Sequence, residues 1–224
     1  TDYYSAAIQF DRLSRELDGE AQFFAYFYAG RLYDKTGRYP KLAISRFRSA
    51  MEATSVDARF DNALWYMLTT QLRISTDDII ASLKTYCQMM HDKSYFDDFF
   101  ESLSVLLLSH QQWQDFYKVW QIIEGKSSEE TFCKYAYIAG RLLEDGLIRV
   151  LSCGADLYYK VLALERLNVT DKEYIESTLC APVGERTIDV NPDAERLLAG
   201  YAAFGFPQKI YDEWIIHRSG IGIE

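Results

Sequence analysis

The sequence Ala-Gly-Arg-Leu occurs twice, each time behind a cluster of aromatics and ahead of a second glycine. The first copy is residues 29–32 inside YFYAGRLYDKTG and the second is residues 139–142 inside YAYIAGRLLEDG. A looser third copy, Ala199-Gly200 in LLAGYAAFG, lies near the C-terminus. Glycine costs about 1 kcal/mol relative to alanine inside a helix. Its recurrence beside aromatics predicts seams at which two antiparallel helices approach closely. A chain built this way is expected to stack helical pairs.

The rest of the sequence agrees with that expectation. Apolar residues recur at three- and four-residue spacing almost throughout, which is the helical period. Four prolines and 12 glycines in 224 residues are too few for the many turns of an all-β chain. Tyr4, Ala7, Ile8, Leu13 and Leu17 share one side of a first helix over about 3–17. The next, about 20–36, is apolar on nearly every face and so is expected between neighbours. Pro40 suits a first helical turn. Ser127-x-x-Glu130 and Thr170-x-x-Glu173 read as capping boxes. The first box is expected to open a helix over about 128–145, and another helix is expected over about 155–167. The fold predicted is all-α, a solenoid or superhelix of about ten to twelve antiparallel helices. Residues 1–180 form its helical repeats, 181–191 a linker containing Pro182 and Gly184, and 192–224 a terminal hairpin packed on the same solenoid. Residues 186–190 are the only stretch with a competing strand pattern.

A net charge of −9 would repel nucleic-acid phosphates, and no segment interleaves Lys and Arg with aromatics. The acidity is concentrated late: residues 1–50 carry eight basic and six acidic side chains, residues 151–224 seven and twelve. No apolar run, neither the aliphatic Val105 to Leu108 nor the aromatic-rich Phe23 to Ala29, approaches the roughly 18–20 residues of a membrane span. No secretory leader is visible and residue 1 is not Met, so the chain reads as a mature protein or an excised piece. Cys87, Cys133, Cys153 and Cys180 are scattered without a CxxC pair, which argues against zinc. Single buried thiols are expected; export would permit one disulfide, and the sequence does not pick the pair.

Nothing in the sequence assembles a reactive centre. His91, His110 and His217 are far apart and none has a partner at triad or ligand spacing. Each is expected on a surface or half-buried helix position. Asp97 and Glu101 stand one helical turn apart, a spacing that can pair an acid with a base. Acids at a helix start are also favoured by its dipole, which is the preferred reading. Glu144-Asp145 at a helix end is less promising still. Phosphate-binding glycine loops are absent. No catalytic residue, cofactor site or metal site is predicted. The tyrosines of 23–33 and 135–137, with Tyr158, Tyr159 and Trp65, are expected mainly in the core, with sugar stacking as their alternative use.

Two resemblances refine this reading. The stretch Tyr26 to Ala50 resembles a tetratricopeptide repeat: Tyr26 takes the large aromatic position, Ala29-Gly30 the small pair and Tyr33 the next aromatic. Ala43, Phe47 and Ala50 supply its second helix, displaced by one residue. The segments TFCKYAYIAGRLLEDG (131–146) and GADLYYKVLALERLNV (154–169) together resemble the helical superhelix of soluble lytic transglycosylases. Tyr135, Tyr137, Gly140, Arg141, Leu142 and Gly146 fit the first motif of that family. Tyr158, Tyr159, Leu162, Ala163, Arg166 and Leu167 fit the second, with Asn168 in place of its usual glycine. Residues 194–214 are similar to the helix pair that leads into the family's catalytic domain. Such enzymes cleave peptidoglycan glycan in the bacterial periplasm with one catalytic Glu, in a separate domain marked by Glu-Ser and Gly-Leu-Met-Gln. Glu101-Ser102 lacks the second marker and is read as coincidence, and a catalytic domain would begin near Glu224. The resemblance thus implies a non-catalytic scaffold that holds glycan or docks partners on its concave face. A tetratricopeptide-type protein-interaction module is the alternative.

Overall fold

A computed structural model describes residues 2–141, 144–152, 157–179, 192–203 and 209–210. These residues contain twelve α-helices and no strand. The helices are α1 (Tyr3–Leu13), α2 (Gly19–Lys35), α3 (Pro40–Glu52), α4 (Asp57–Gln71), α5 (Thr76–Tyr86), α6 (Asp97–Ser109), α7 (Trp113–Ile123), α8 (Glu129–Gly140), α9 (Glu144–Ser152), α10 (Leu157–Arg166), α11 (Lys172–Leu179) and α12 (Pro192–Ala203). Two short 3-10 turns, Cys87–Met89 and Lys93–Phe96, join α5 to α6. The chain divides into two compact units, Thr1–Leu179 and Cys180–Glu224. The expected linker and the strand-like 186–190 fall outside the described residues, as does most of the second terminal helix.

Local chemistry sets the helix ends. Pro40 occupies the first turn of α3, where its missing N–H costs nothing. Ser75 caps α5 through the Asp78 N–H. Gly37, at φ +67°, supplies the left-handed residue beyond the end of α2. The two expected capping boxes are each displaced by one residue. Ser128, not Ser127, accepts the Thr131 N–H at 3.1 Å, and Asp171, not Thr170, accepts the Glu173 N–H at 3.0 Å. In both cases the adjacent downstream residue offers the oxygen that reaches the open N–H groups.

Within the first unit most helices adjacent in sequence pack on one another, most extensively α1–α2, α2–α3, α3–α4 and α8–α9. Alternate helices also meet: α2 touches α4, α4 touches α6, α6 touches α8 and α8 touches α10. One apolar cluster runs through these helices from Ala7 to Ala163. Its largest fully buried side chains include Phe23, Phe47, Leu64, Phe100, Phe116 and Tyr135.

Each Ala-Gly-Arg-Leu copy lies on a seam, and the two seams differ. Gly30 sits inside α2, and a Cβ there would meet the Phe47 ring of α3 at 2.8 Å. Ala43, Phe47 and Ala50 of α3 are all buried, as a small-against-large hairpin requires. Gly140 ends α8, and a Cβ there would meet the Leu147 backbone nitrogen at 2.5 Å. A Cβ on Gly146 would meet Ala136 O and Gly140 N, each at 2.5 Å. The single helix expected over 128–145 is therefore two. The chain turns after Gly140 and returns as α9, because the two glycines let the backbones themselves touch. At Gly200, in the third copy, nothing among the described residues lies within 4 Å of an added Cβ.

Candidate functional site

The alternate helices carry a ribbon of polar and aromatic contacts on their accessible side. At its N-terminal end, Phe24 and Tyr28 of α2 are exposed and stack at 6.2 Å. The Arg59 guanidinium of α4 lies 4.8 Å from the Phe24 ring, and Arg31 of α2 lies 4.7 Å from the Tyr66 ring of α4. Arg59 also pairs with Glu20. Cations over ring faces hold both partners in place while leaving ring edges accessible. Trp65 of α4 then donates from Nε1 to Asp98 of α6 at 2.8 Å.

Beyond Asp98 the ribbon turns acidic. Asp97 accepts from Ser128 Oγ at 2.6 Å and from Thr131 Oγ1 at 2.7 Å, which ties the start of α6 to the start of α8. Glu101 pairs with Lys134 of α8. Asp97, Glu101, Thr131 and Lys134, with Asp98, Glu130 and Tyr159, surround a cavity of about 350 Å³. Tyr137 of α8 packs against Tyr159 of α10 with ring centres 5.6 Å apart. Asp97 and Glu101 therefore do share a cavity, but each is engaged by a different partner on α8 rather than by the other. A paired acid and base is not what they form.

The remaining sequence candidates separate cleanly. His91 is not on a helix: it lies between the two 3-10 turns, with Nδ1 3.2 Å from Asp61 and Nε2 3.1 Å from Asp57. Asp61 is buried and accepts the backbone N–H groups of His91 and Asp92. Both imidazole nitrogens face carboxylates, so neither is left to act as base toward a hydroxyl. This cluster was invisible in the sequence because Asp57 and Asp61 lie 34 and 30 positions upstream of His91. His110 is exposed at the end of α6. His217, Cys153, Cys180 and the side chains of Glu144 and Asp145 are outside the described residues. Cys87 and Cys133 are buried, and burial pushes the Cys87 thiol up to about 11. A thiol held protonated in this way is a packing group rather than a nucleophile.

Among the aromatic candidates, Phe23, Phe27, Tyr33 and Tyr135 are core, Tyr26 and Trp65 half-buried, and Tyr28 and Tyr158 exposed. Tyr135 donates to Phe100 O at 2.8 Å, and burial raises its phenol pKa well above the ordinary value. Tyr33 donates to Asp11 at 2.8 Å and is pushed up to about 12, first by burial and then by that carboxylate. Asp11 in turn receives Arg46 of α3, so this trio fastens α1, α2 and α3 together. Among the described residues no group of three or more His, Cys, Asp or Glu side chains could hold a metal. No described helix is long and apolar enough to cross a membrane.

Comparison with protein families, curated proteins and solved structures finds no match. The ribbon and its neighbours must be read on their own chemistry.

Proposed function

We propose that this chain is a non-catalytic α-solenoid scaffold of a lytic-transglycosylase-like bacterial cell-wall protein, working in the periplasm. Its alternate helices hold or shape peptidoglycan glycan along the ribbon, and any glycan cleavage belongs to a separate domain.

The observation that carries the solenoid reading is a recurring contact spacing. Arg46 meets Asp11, Thr54 meets Glu20, Thr70 meets Asp34, Asp98 meets Trp65, Thr131 meets Asp97 and Tyr135 meets Phe100, across 35, 34, 36, 33, 34 and 35 positions. A helical hairpin of roughly 34 residues, stacked on copies of itself, brings together residues one repeat apart. Glycan is favoured as ligand by the exposed Phe24 and Tyr28 rings beside Arg31 and Arg59, since flat rings and forked donors suit sugar faces and hydroxyls. The 131–146 and 154–169 motifs support the family reading. Asn168, where that family has glycine, adopts φ +52° and so takes the glycine's conformational role.

Calorimetric titration with solubilised glycan strands tests the proposal. Saturable binding is expected, weakened about tenfold in a Phe24→Ala, Tyr28→Ala double variant, as loss of ring stacking implies. Flat titrations in the wild type contradict the glycan reading. A second reading, docking of a charged peptide, is favoured by the contrast between Arg31 and Arg59 and the acidic cavity at Asp97, Asp98 and Glu101. Binding of a bipolar peptide with no affinity for glycan decides for it.

A further inference from the structure

The accessible face of α2 carries two cations beyond its two exposed rings. Phe24, Tyr28, Arg31 and Lys35 follow one another at helical spacing, a file about 16 Å long on one side of the helix. Phe24, Tyr28 and Lys35 are exposed and Arg31 is half-buried.

The two cations differ from the arginines that join helices nearby. Arg46 of α3 meets Asp11 of α1, Arg59 of α4 meets Glu20 of α2, and Arg73, just beyond α4, meets Asp34 of α2. Each of those is matched by a carboxylate. Arg31 also bridges two helices, but it does so over rings: its guanidinium lies 4.7 Å from the Tyr66 centroid and 6.0 Å from that of Phe27. Lys35 likewise stands 5.6 Å from the Tyr3 ring of α1. Among the described residues neither cation has an ion pair or a hydrogen bond. Asp34, one turn beyond Arg31, is already taken by Arg73 and by Thr70 Oγ1. The helix dipole favours a cation in the last turn of α2, which accounts for the place of Lys35 but supplies neither side chain with a partner.

Stacking on Tyr66 holds the guanidinium in place and leaves its N–H donors without an acceptor. A planar fork held in this way matches a carboxylate through two parallel hydrogen bonds, at little further cost in side-chain freedom. Its position supplies the rest: a ligand lying along α2 over Phe24 and Tyr28 brings its next group to Arg31.

We propose that Arg31, assisted by Lys35, forms a carboxylate subsite at the end of this file and gives the ribbon a preference for acid-bearing over neutral glycan. Sugar rings lie over Phe24 and Tyr28, and a carboxylate on the following ring accepts from the Arg31 guanidinium. This inference rests on the glycan reading and adds to it a charge preference and the residue that sets it.

The test is calorimetric titration of the whole chain with two N-acetylated tetrasaccharides, one carrying lactyl carboxylates on alternate rings and one without them. The acid-bearing sugar is expected to bind about tenfold tighter, an advantage that shrinks as salt is raised. Arg31→Gln is expected to bring the acid-bearing sugar to the level of the neutral one while the neutral sugar stays within about twofold of wild type. Unchanged neutral binding also shows that this variant is folded. Should it not fold, Lys35→Gln, at an exposed position, carries the test with a several-fold loss confined to the acid-bearing sugar. Equal binding of the two sugars, or a preference that survives in the folded variants, overturns the subsite and spares the glycan reading. Flat titrations with both sugars overturn both. A blocked acidic peptide that binds through Arg31 while both sugars stay silent also overturns both, in favour of peptide docking.

Discussion

The two Ala-Gly-Arg-Leu segments use the same four residues to build seams of different kinds. In the first, α2 continues past Gly30 for another turn, and the notch is filled by the Phe47 side chain of the next helix. In the second, α8 stops at Gly140, and the returning α9 lays Gly146 directly on the α8 backbone. The downstream glycine separates the two cases. In the first copy it is Gly37, beyond the end of α2 at positive φ, whereas in the second it is Gly146, inside the partner helix. A short motif therefore specifies that a close approach occurs, while its distant partner decides whether side chain or backbone makes it.

The contrast can be broken first from the side that depends on a ring. Phe47→Ala empties a fully buried site, and a loss of about 3–5 kcal/mol in chemical denaturation is expected. Gly146→Ala forces a methyl into backbone atoms that cannot rotate away, and about 3 kcal/mol is expected, with the damage confined to α8–α9 by hydrogen exchange. A loss under about 1 kcal/mol would show that α9 slides away freely. The α5–α6 connection responds instead to alkali. The folded pKa of Cys87 is raised to about 11 from 9.0, so the folded state holds its proton more tightly than the unfolded chain. Stability from this thiol is intact below about pH 9 and falls as pH rises through about 11, by on the order of 2 kcal/mol. Denaturation midpoints in Cys87→Ala should lack that part of the alkaline decline. The smallest effect is expected from Asn168→Gly after α10, a gain of a few tenths of a kcal/mol as left-handed strain is relieved.

Much of the helical architecture was legible because it depends on local signals. The three- to four-residue period marked most helices, Pro40 marked the start of α3, and the Gly30 and Phe47 spacing marked the first hairpin seam. The errors arose where a local pattern permits two outcomes. The 128–145 periodicity fits one helix as well as two, and only the contact between Gly140 and Gly146 selects the turn. Caps shifted by one residue because Ser127-Ser128 and Thr170-Asp171 each offer two adjacent oxygens. The ribbon was legible only as a set of scattered aromatics and acids. Trp65 and Asp98 are 33 positions apart, as are Glu101 and Lys134, and no local window contains both members of either pair. Repeat-length separation was the signal that could have found them.

Two double-mutant cycles, measured by equilibrium unfolding, test most directly whether the seams differ as described. In Gly30→Ala with Phe47→Leu, the smaller side chain should make room for the added methyl, leaving the double variant more stable than the sum of the singles by about 1 kcal/mol. In Gly140→Ala with Leu147→Ala, loss of the Leu147 Cγ relieves a contact at 2.8 Å, but the Leu147 backbone nitrogen at 2.5 Å stays in place, and a clearly smaller recovery is expected. Equal recovery in both cycles, or recovery only in the second, would contradict the assignment of side-chain contact to one seam and backbone contact to the other.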